Sequence, residues 1–356
     1  MIKVKKHIRQ LEAYHPPLDM RTERDYLLLD FNESTLPPDP NVIAAMREYV
    51  EQGQMRKYPA YGKFLSSLSA YTAVPEDHLI ITNGSDSAIQ LIMQALLGEG
   101  DEMILPSPGF SVIDLCARSQ GARVLSPRYE GDQMAFPADG IRQAISPATR
   151  LVVIINPNNP TGTAPTLEQV ESLLQAYPDV AFMVDEAYYE FSGFSVAGLI
   201  SRFDNLIVIR TFSKAFAIAG LRLGYVLSNP EFIQDLYKIR IPYDVNAVAV
   251  IAAEALLKNQ NPWRAYVEEV MSRAKPMVER FFDEHGVDYV KGAANFMLVR
   301  PDNVQAAFEY LKENGILVRP QRDSIADRFR MSVGTVEDMK TFMAVYARFL
   351  ESGQKG

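Results

Sequence analysis

The feature that most constrains this chain is a regular alternation of short, wholly apolar runs with longer amphipathic stretches. Runs rich in branched and apolar residues occur at 79–82, 103–105, 151–155, 181–184, 206–209 and 224–227. They lack the in-out alternation of a half-exposed strand, so they predict strands buried on both faces. Helical patterns lie between them at 87–97, 111–119 and 167–176, the last opening after Pro165 and Thr166, which form a helix-start signal. Strand, helix, strand in succession predicts a mainly parallel sheet covered by helices.

A second, smaller α/β unit is expected at the C-terminal end. Its pattern is a helix over 263–284, strands at 296–299, 316–319 and 329–333, a helix over 304–314 and a closing helix from Val336. The stretch 230–260 predicts a kinked helical connection with Pro242 as its breaker. Pro16, Pro17, Pro37, Pro38 and Pro40 predict an extended arm over the first 40 residues. The expected division is an arm at 1–40, a large domain at 41–250 and a small domain at 251–356, which suits a chain of 356 residues.

Composition removes several function classes. A net charge of -8 repels nucleic acid and anionic membranes, and the one basic cluster, Lys3 to Lys6 with Arg9, is short. Cys116 is the single cysteine and the four histidines, His7, His15, His78 and His285, are scattered, which excludes an internal disulfide and argues against a thiolate metal site. No signal-peptide core and no apolar run of membrane-spanning length is present. A cytoplasmic location is expected.

Open parallel sheets bind ligands beyond the carboxyl ends of their strands, so the residues following each run carry the functional information. After 79–82 come Asn83, Gly84, Ser85 and Asp86, where free amides at a helix start offer an anion cradle; an ordinary N-cap explains the same residues. After 151–155 comes Asn156-Pro157-Asn158-Asn159-Pro160-Thr161-Gly162, a proline-stiffened turn presenting Asn159. After 181–184 come Asp185, Glu186, Ala187 and Tyr188, an acid and a phenol leaving an apolar strand, and a buried carboxylate there needs a cation or donors. After 206–209 comes a stretch in which Lys214 stands between Phe212 and Phe216. Such surroundings would desolvate an amine and lower its pKa, although most lysines are simply solvated.

Taken together, these segments resemble those of the fold-type I aminotransferases that use pyridoxal phosphate, most closely the histidinol-phosphate aminotransferase branch. Asn159-Pro160-Thr161-Gly162 and Ser213-Lys214 with Arg222 carry the likeness, which runs from Leu11 to Thr335. The resemblance implies that Lys214 bonds the cofactor aldehyde and moves protons, that Asp185 sits beneath the pyridine nitrogen, and that Asn159 and Tyr188 donate to the ring oxygen. It implies that Phe110 stacks on the ring and that Gly84, Ser85, Asp86, Thr211, Ser213 and Arg222 hold the phosphate. Tyr58 matches a tyrosine that reaches the neighbouring subunit's cofactor, which implies a homodimer with shared sites.

On the substrate side, Arg330 matches a carboxylate-binding arginine, Arg319 matches a second arginine for an anionic substrate end, and Tyr14, Tyr243 and Asn32 match pocket positions. The implied reaction moves an amino group between a small amine or amino acid, histidinol phosphate first, and the 2-oxo acid 2-oxoglutarate. Ser34-Thr35-Leu36 departs from the family's Pro-Tyr-Gly, and Phe110 stands where a tyrosine is common. Two other activities share the same residues: an aromatic or broad-specificity aminotransferase, and a decarboxylase of a phosphorylated amino acid. A cofactor-binding regulator would need a nucleic-acid-reading module, for which the segment before Asp30 is too short.

Overall fold

The computed structural model describes residues 2–353. Its strands are β1 (Leu27–Leu28), β2 (Leu79–Thr82), β3 (Glu102–Ile104), β4 (Arg123–Leu125), β5 (Thr149–Ile155), β6 (Ala181–Asp185), β7 (Leu206–Thr211), β8 (Gly224–Leu227), β9 (Asp288–Val290), β10 (Phe296–Arg300), β11 (Ile316–Leu317), β12 (Arg319–Pro320) and β13 (Phe329–Ser332). A seven-stranded sheet has the order β2-β8-β7-β6-β5-β3-β4, with every pair parallel except the two made by β8. A smaller C-terminal domain carries the antiparallel sheet β12-β13-β10-β9.

The apolar runs divide between the two faces of the large sheet with the period of two that strands impose. Ile80, Met103, Leu151, Val153, Ile155, Met183, Ile207 and Ile209 enter one apolar cluster, and Ile81, Ile104, Val152, Ile154, Phe182, Val184, Leu206 and Val208 enter the other. Register then aligns the carboxyl ends, because Ile155 faces Asp185 and Asp185 faces Ile209. The Asn156 amide donates to the Asp185 carbonyl at 2.7 Å and that of Glu186 to the Ile209 carbonyl at 2.8 Å. The residues just beyond β5, β6 and β7 therefore emerge side by side at one rim.

Three expectations change in detail. The arm is not uniformly extended: it has a helical turn at Lys6–Arg9, a 3-10 turn at Asp19–Thr22, and β1, which pairs in parallel with β11. The run expected as one strand at 316–319 is split accordingly, with Ile316–Leu317 serving the arm and Arg319–Pro320 the small sheet. The 263–284 helix starts at Asn261 and contains a π turn at Val270–Ala274 before resuming over Lys275–His285. The connection around Pro242 separates the helices Pro230–Ile239 and Ala247–Lys258. Helices Pro40–Glu51, Gly62–Thr72 and Ala138–Ala144 and strands β4 and β9 were outside the sequence reading. No helix among the described residues is long and apolar enough to cross a membrane.

Candidate active site

The rim of the large sheet opens into a cavity of about 1280 Å³ that the arm and the small domain also line. Its floor includes the start of helix Gly84–Leu96, packed so closely on β8 that a Cβ at Gly224 would lie 2.6 Å from the Ser85 nitrogen. Gly84 has φ +76, and a side chain there would meet the Arg222 guanidinium at 2.5 Å. Glycine at both positions lets the helix terminus and the guanidinium share one corner. There Arg222 donates to Ser213 Oγ at 3.2 Å and to Asp86 at 3.0 Å, and Thr211 donates to Ser213 at 2.9 Å. Amides, hydroxyls and a half-exposed guanidinium thus converge as an anion cradle.

Beside the cradle the chain places the candidate catalytic groups. Lys214 Nζ donates to the Phe31 carbonyl at 2.8 Å, and desolvation, reinforced by Arg330, lowers its pKa to about 8. Asp185 is 4% exposed, accepts from the Ala187 amide at 3.0 Å, and is pushed by burial up to about 7. The Tyr188 hydroxyl accepts from Asn32 Nδ2 at 3.0 Å, which leaves its own proton free to be donated. Arg330 donates to Asn159 Oδ1 at 2.5 Å and to the Asp30 carbonyl at 2.6 Å. Because a guanidinium only donates, Asn159 must face it with its oxygen, and its amide N–H groups turn elsewhere.

Arg319 and Arg330 are register partners on β12 and β13, and both line the cavity. Arg319 stacks over Phe31 at 5.3 Å, and its guanidinium donates to no protein group among the described residues; desolvation lowers its pKa and the charge on Arg322 adds to that. Phe110, at the start of helix Ser111–Ser119, and Tyr14, on the arm, complete the wall. Tyr58 and Tyr243 do not join them: both are exposed and stack on each other at 4.5 Å, away from the cavity of their own chain.

Arg210 and Lys275 are among the buried charges that sequence reasoning did not single out. Arg210 pairs with Glu186 at 2.9 Å where both side chains are almost wholly buried. A charged residue inside an apolar strand was a usable signal, since two such costs cancel only in a pair. Lys275, buried at the junction after the π turn, donates to the carbonyls of Gly292 and Ala294. Helical periodicity could not find it, because the π turn shifts the face it occupies.

The model of the family described as "Aminotransferase class I and II" matches residues 24–345. The chain belongs to that family. It is 34% identical over 359 residues to a histidinol-phosphate aminotransferase of Roseiflexus castenholzii, covering 95% of each chain. It is 33% identical over 326 residues to a dihydroxyacetone phosphate transaminase of Campylobacter jejuni, covering 89% of this chain and 88% of the other. Among solved structures, a histidinol-phosphate aminotransferase of Sinorhizobium meliloti in complex with pyridoxal 5'-phosphate shares the fold, with TM-score 0.89, 24% identity, and 99% and 98% of the two chains covered.

This class I and II aminotransferase is an enzyme, and its cofactor is pyridoxal phosphate. The residues present fit that group. Asp185 is a buried carboxylate facing the cavity with no cation in contact among the described residues, as a pyridinium nitrogen requires. Lys214 is an amine whose pKa is lowered toward neutrality, as bonding an aldehyde requires, and at Gly84 the absence of a side chain leaves the helix-start backbone and the Arg222 guanidinium together for a phosphate.

Proposed function

We propose that this aminotransferase moves an amino group between a phosphorylated amine, histidinol phosphate first, and 2-oxoglutarate. The observation that carries the phosphorylated class is the cross-strand pair Arg319 and Arg330, two desolvated guanidiniums facing one cavity, with no carboxylate in ion-pair contact with Arg319 among the described residues. A desolvated arginine is a strong site for a doubly charged oxyanion. The two relatives named above have phosphate esters in the names of their substrates, which supports the same class.

Bound pyridoxal phosphate supplies an aldehyde that bonds amines and a ring that accepts electrons from the adjoining carbon. The chain's own residues do the rest. Lys214, whose pKa is lowered to about 8, would take a proton from the substrate carbon and deliver it to the adjoining cofactor carbon on the same face. Asp185 would hold the proton on the pyridine nitrogen. Tyr188, its oxygen already accepting from Asn32, and Asn159, its oxygen already held by Arg330, present donors to the ring oxygen. Phe110 would stack on the ring, and the cradle of Gly84, Ser85, Asp86, Thr211, Ser213 and Arg222 would hold the phosphate. Arg330 would take the carboxylate of glutamate, and the Arg319–Arg330 pair the phosphate of the phosphorylated amine, in a cavity that Tyr14 and Asn32 also line.

The exposed Tyr58–Tyr243 stack, which does not line its own chain's cavity, supports a homodimer in which this patch meets the second copy's site; sedimentation at assay concentration should show a dimer. The deciding experiment for substrate is a screen of amino donors against 2-oxoglutarate, with dihydroxyacetone phosphate as an added acceptor. Arg319→Ala should weaken phosphorylated substrates about tenfold or more and neutral aromatic donors little. Equal small losses would favour the aromatic or broad-specificity alternative, and carbon dioxide release would favour the decarboxylase.

A further inference from the structure

Lys275 is 3% exposed, yet among the described residues no carboxylate touches its ammonium. Instead Nζ donates to the carbonyls of Gly292 and, at 2.8 Å, Ala294, on either side of Ala293. Burying an ammonium against neutral carbonyls is costly, and desolvation accordingly pulls its pKa down to about 8. The π turn Val270–Ala274 immediately before it inserts an extra residue into the helix, a device found often where a side chain must be aimed.

The turn it holds is a joint between the two sheets. Between the two gripped carbonyls, the Ala293 amide donates to the Gly162 carbonyl at 2.7 Å. Gly292 is pressed so closely on Gly162 that a Cβ at 292 would lie 2.6 Å from the Gly162 backbone. Gly162 closes the loop bearing Asn159, its amide donating to the Asn158 carbonyl at 2.7 Å. On the other side the turn runs into β10, whose partner β13 carries Arg330, and the Asn295 carbonyl accepts from the Val333 amide at 2.7 Å. Asn159 and Arg330 meet at 2.5 Å across this joint, one from each sheet's side.

We propose that Lys275 is a positioning residue: by pinning the Gly292–Ala294 turn against Gly162, its ammonium fixes the Asn159 loop relative to β13 and so sets the direction of the Arg330 guanidinium. This rests on the proposed role of Arg330 in binding a substrate carboxylate. Lys275 itself touches neither the cavity nor Arg330, so its effect must pass through the joint.

The test uses the half-reaction of full-length holoenzyme with L-glutamate, read by cofactor absorbance, in a four-way comparison of wild type, Lys275→Met, Arg330→Lys and the double variant. Lys275→Met keeps the stem and removes the donors. Misplacement of a binding group by a fraction of an ångström predicts glutamate affinity about tenfold weaker with the maximal rate within about threefold. In the Arg330→Lys background the same change should cost less than about twofold, because the group it positions is already lost. Unchanged glutamate affinity in Lys275→Met, or the same loss in both backgrounds, overturns the proposal. If Arg330→Lys alone binds glutamate normally, the carboxylate role of Arg330 falls instead. Should Lys275→Met not accumulate, Lys275→Gln, whose shorter amide cannot span both carbonyls, carries the same four-way comparison.

Discussion

Asp185 and Glu186 are consecutive carboxylates at the end of one buried strand, and the fold surrounds them in opposite ways. Glu186 accepts from Arg210 at 2.9 Å, from Ser195 at 2.8 Å and from the Val196 amide at 2.7 Å, and the guanidinium that pairs with it lies 3.8 Å over the Tyr189 ring. Among the described residues Asp185 has one amide, that of Ala187, and no cation in contact. Side chains alternate across a strand, so successive residues must face opposite sides of the sheet. One side is closed and its charge is fully paired; the other opens on the cavity and its charge awaits a partner. The difference separates a carboxylate that holds the fold together from one that the fold holds ready.

The comparison breaks first, and furthest, at Asp185. Asp185→Asn preserves shape and the chance of a hydrogen bond but removes the negative charge that would keep a ring nitrogen protonated. Turnover should fall by about 10²- to 10³-fold, the loss typical of removing one preorganised electrostatic partner. Cofactor absorbance, measured on the same samples, should show occupancy largely retained. Near-normal turnover would remove Asp185 from the chemistry.

The second break is on the closed side. Arg210→Met leaves Glu186 buried without its cation and withdraws the charge that favours ionised Glu190, which accepts from Tyr71 at 3.1 Å and is already pushed by burial to about 7. Breaking a buried pair in this way costs about 3 to 5 kcal/mol, so the urea midpoint should drop sharply at neutral pH. Adding Glu186→Gln should recover part of it. Turnover per folded, cofactor-loaded molecule should stay within about threefold, since Arg210 does not line the cavity. Loss of turnover without loss of stability would mean that the two sides are not separate.

The open side was legible in the sequence because its residues follow strands whose apolar runs are unmistakable. Asn159, Asp185, Tyr188 and Lys214 each stand a few residues beyond such a run, Arg222 just before the next one, and the fold brings them to one rim. The closed side was less legible. Glu186 was visible beside Asp185, but its pairing with Arg210, one strand away, depends on register that a single sequence does not state. Lys275 was invisible, for its inward aim comes from a π turn that breaks the helical period. Tyr58 and Tyr243 illustrate a different limit: resemblance points to both, yet within one chain they stack on each other outside the cavity. The split of 316–319 between β11 and β12 likewise required the arm, since only β1 shows why Ile316 and Leu317 leave the small sheet.

The smallest expected effect sharpens the comparison without touching turnover. Burial raises Asp185 from its ordinary 3.8 to about 7, so between those values the folded apoprotein binds a proton that the unfolded chain has released. Stability then falls as pH rises from about 4 to 7, because the folded state holds the extra proton. Lys214 tilts the other way and in another window: lowered from 10.5 to about 8, it leaves the folded state short of a proton between those values, so its contribution to stability rises with pH there. Below pH 7.5 the two are therefore separable. Urea unfolding of wild-type and Asp185→Asn apoprotein at pH 4.5 and 7.5 should show the variant gaining on wild type, by on the order of 1 to 2 kcal/mol, a fraction of the full shift because the carboxylate borders a solvated cavity. Saturating pyridoxal phosphate should shrink that gain, since a cationic ring nitrogen favours the ionised carboxylate. A gain of the same size with and without cofactor would show that Asp185 is strained by its burial alone and does not meet the ring.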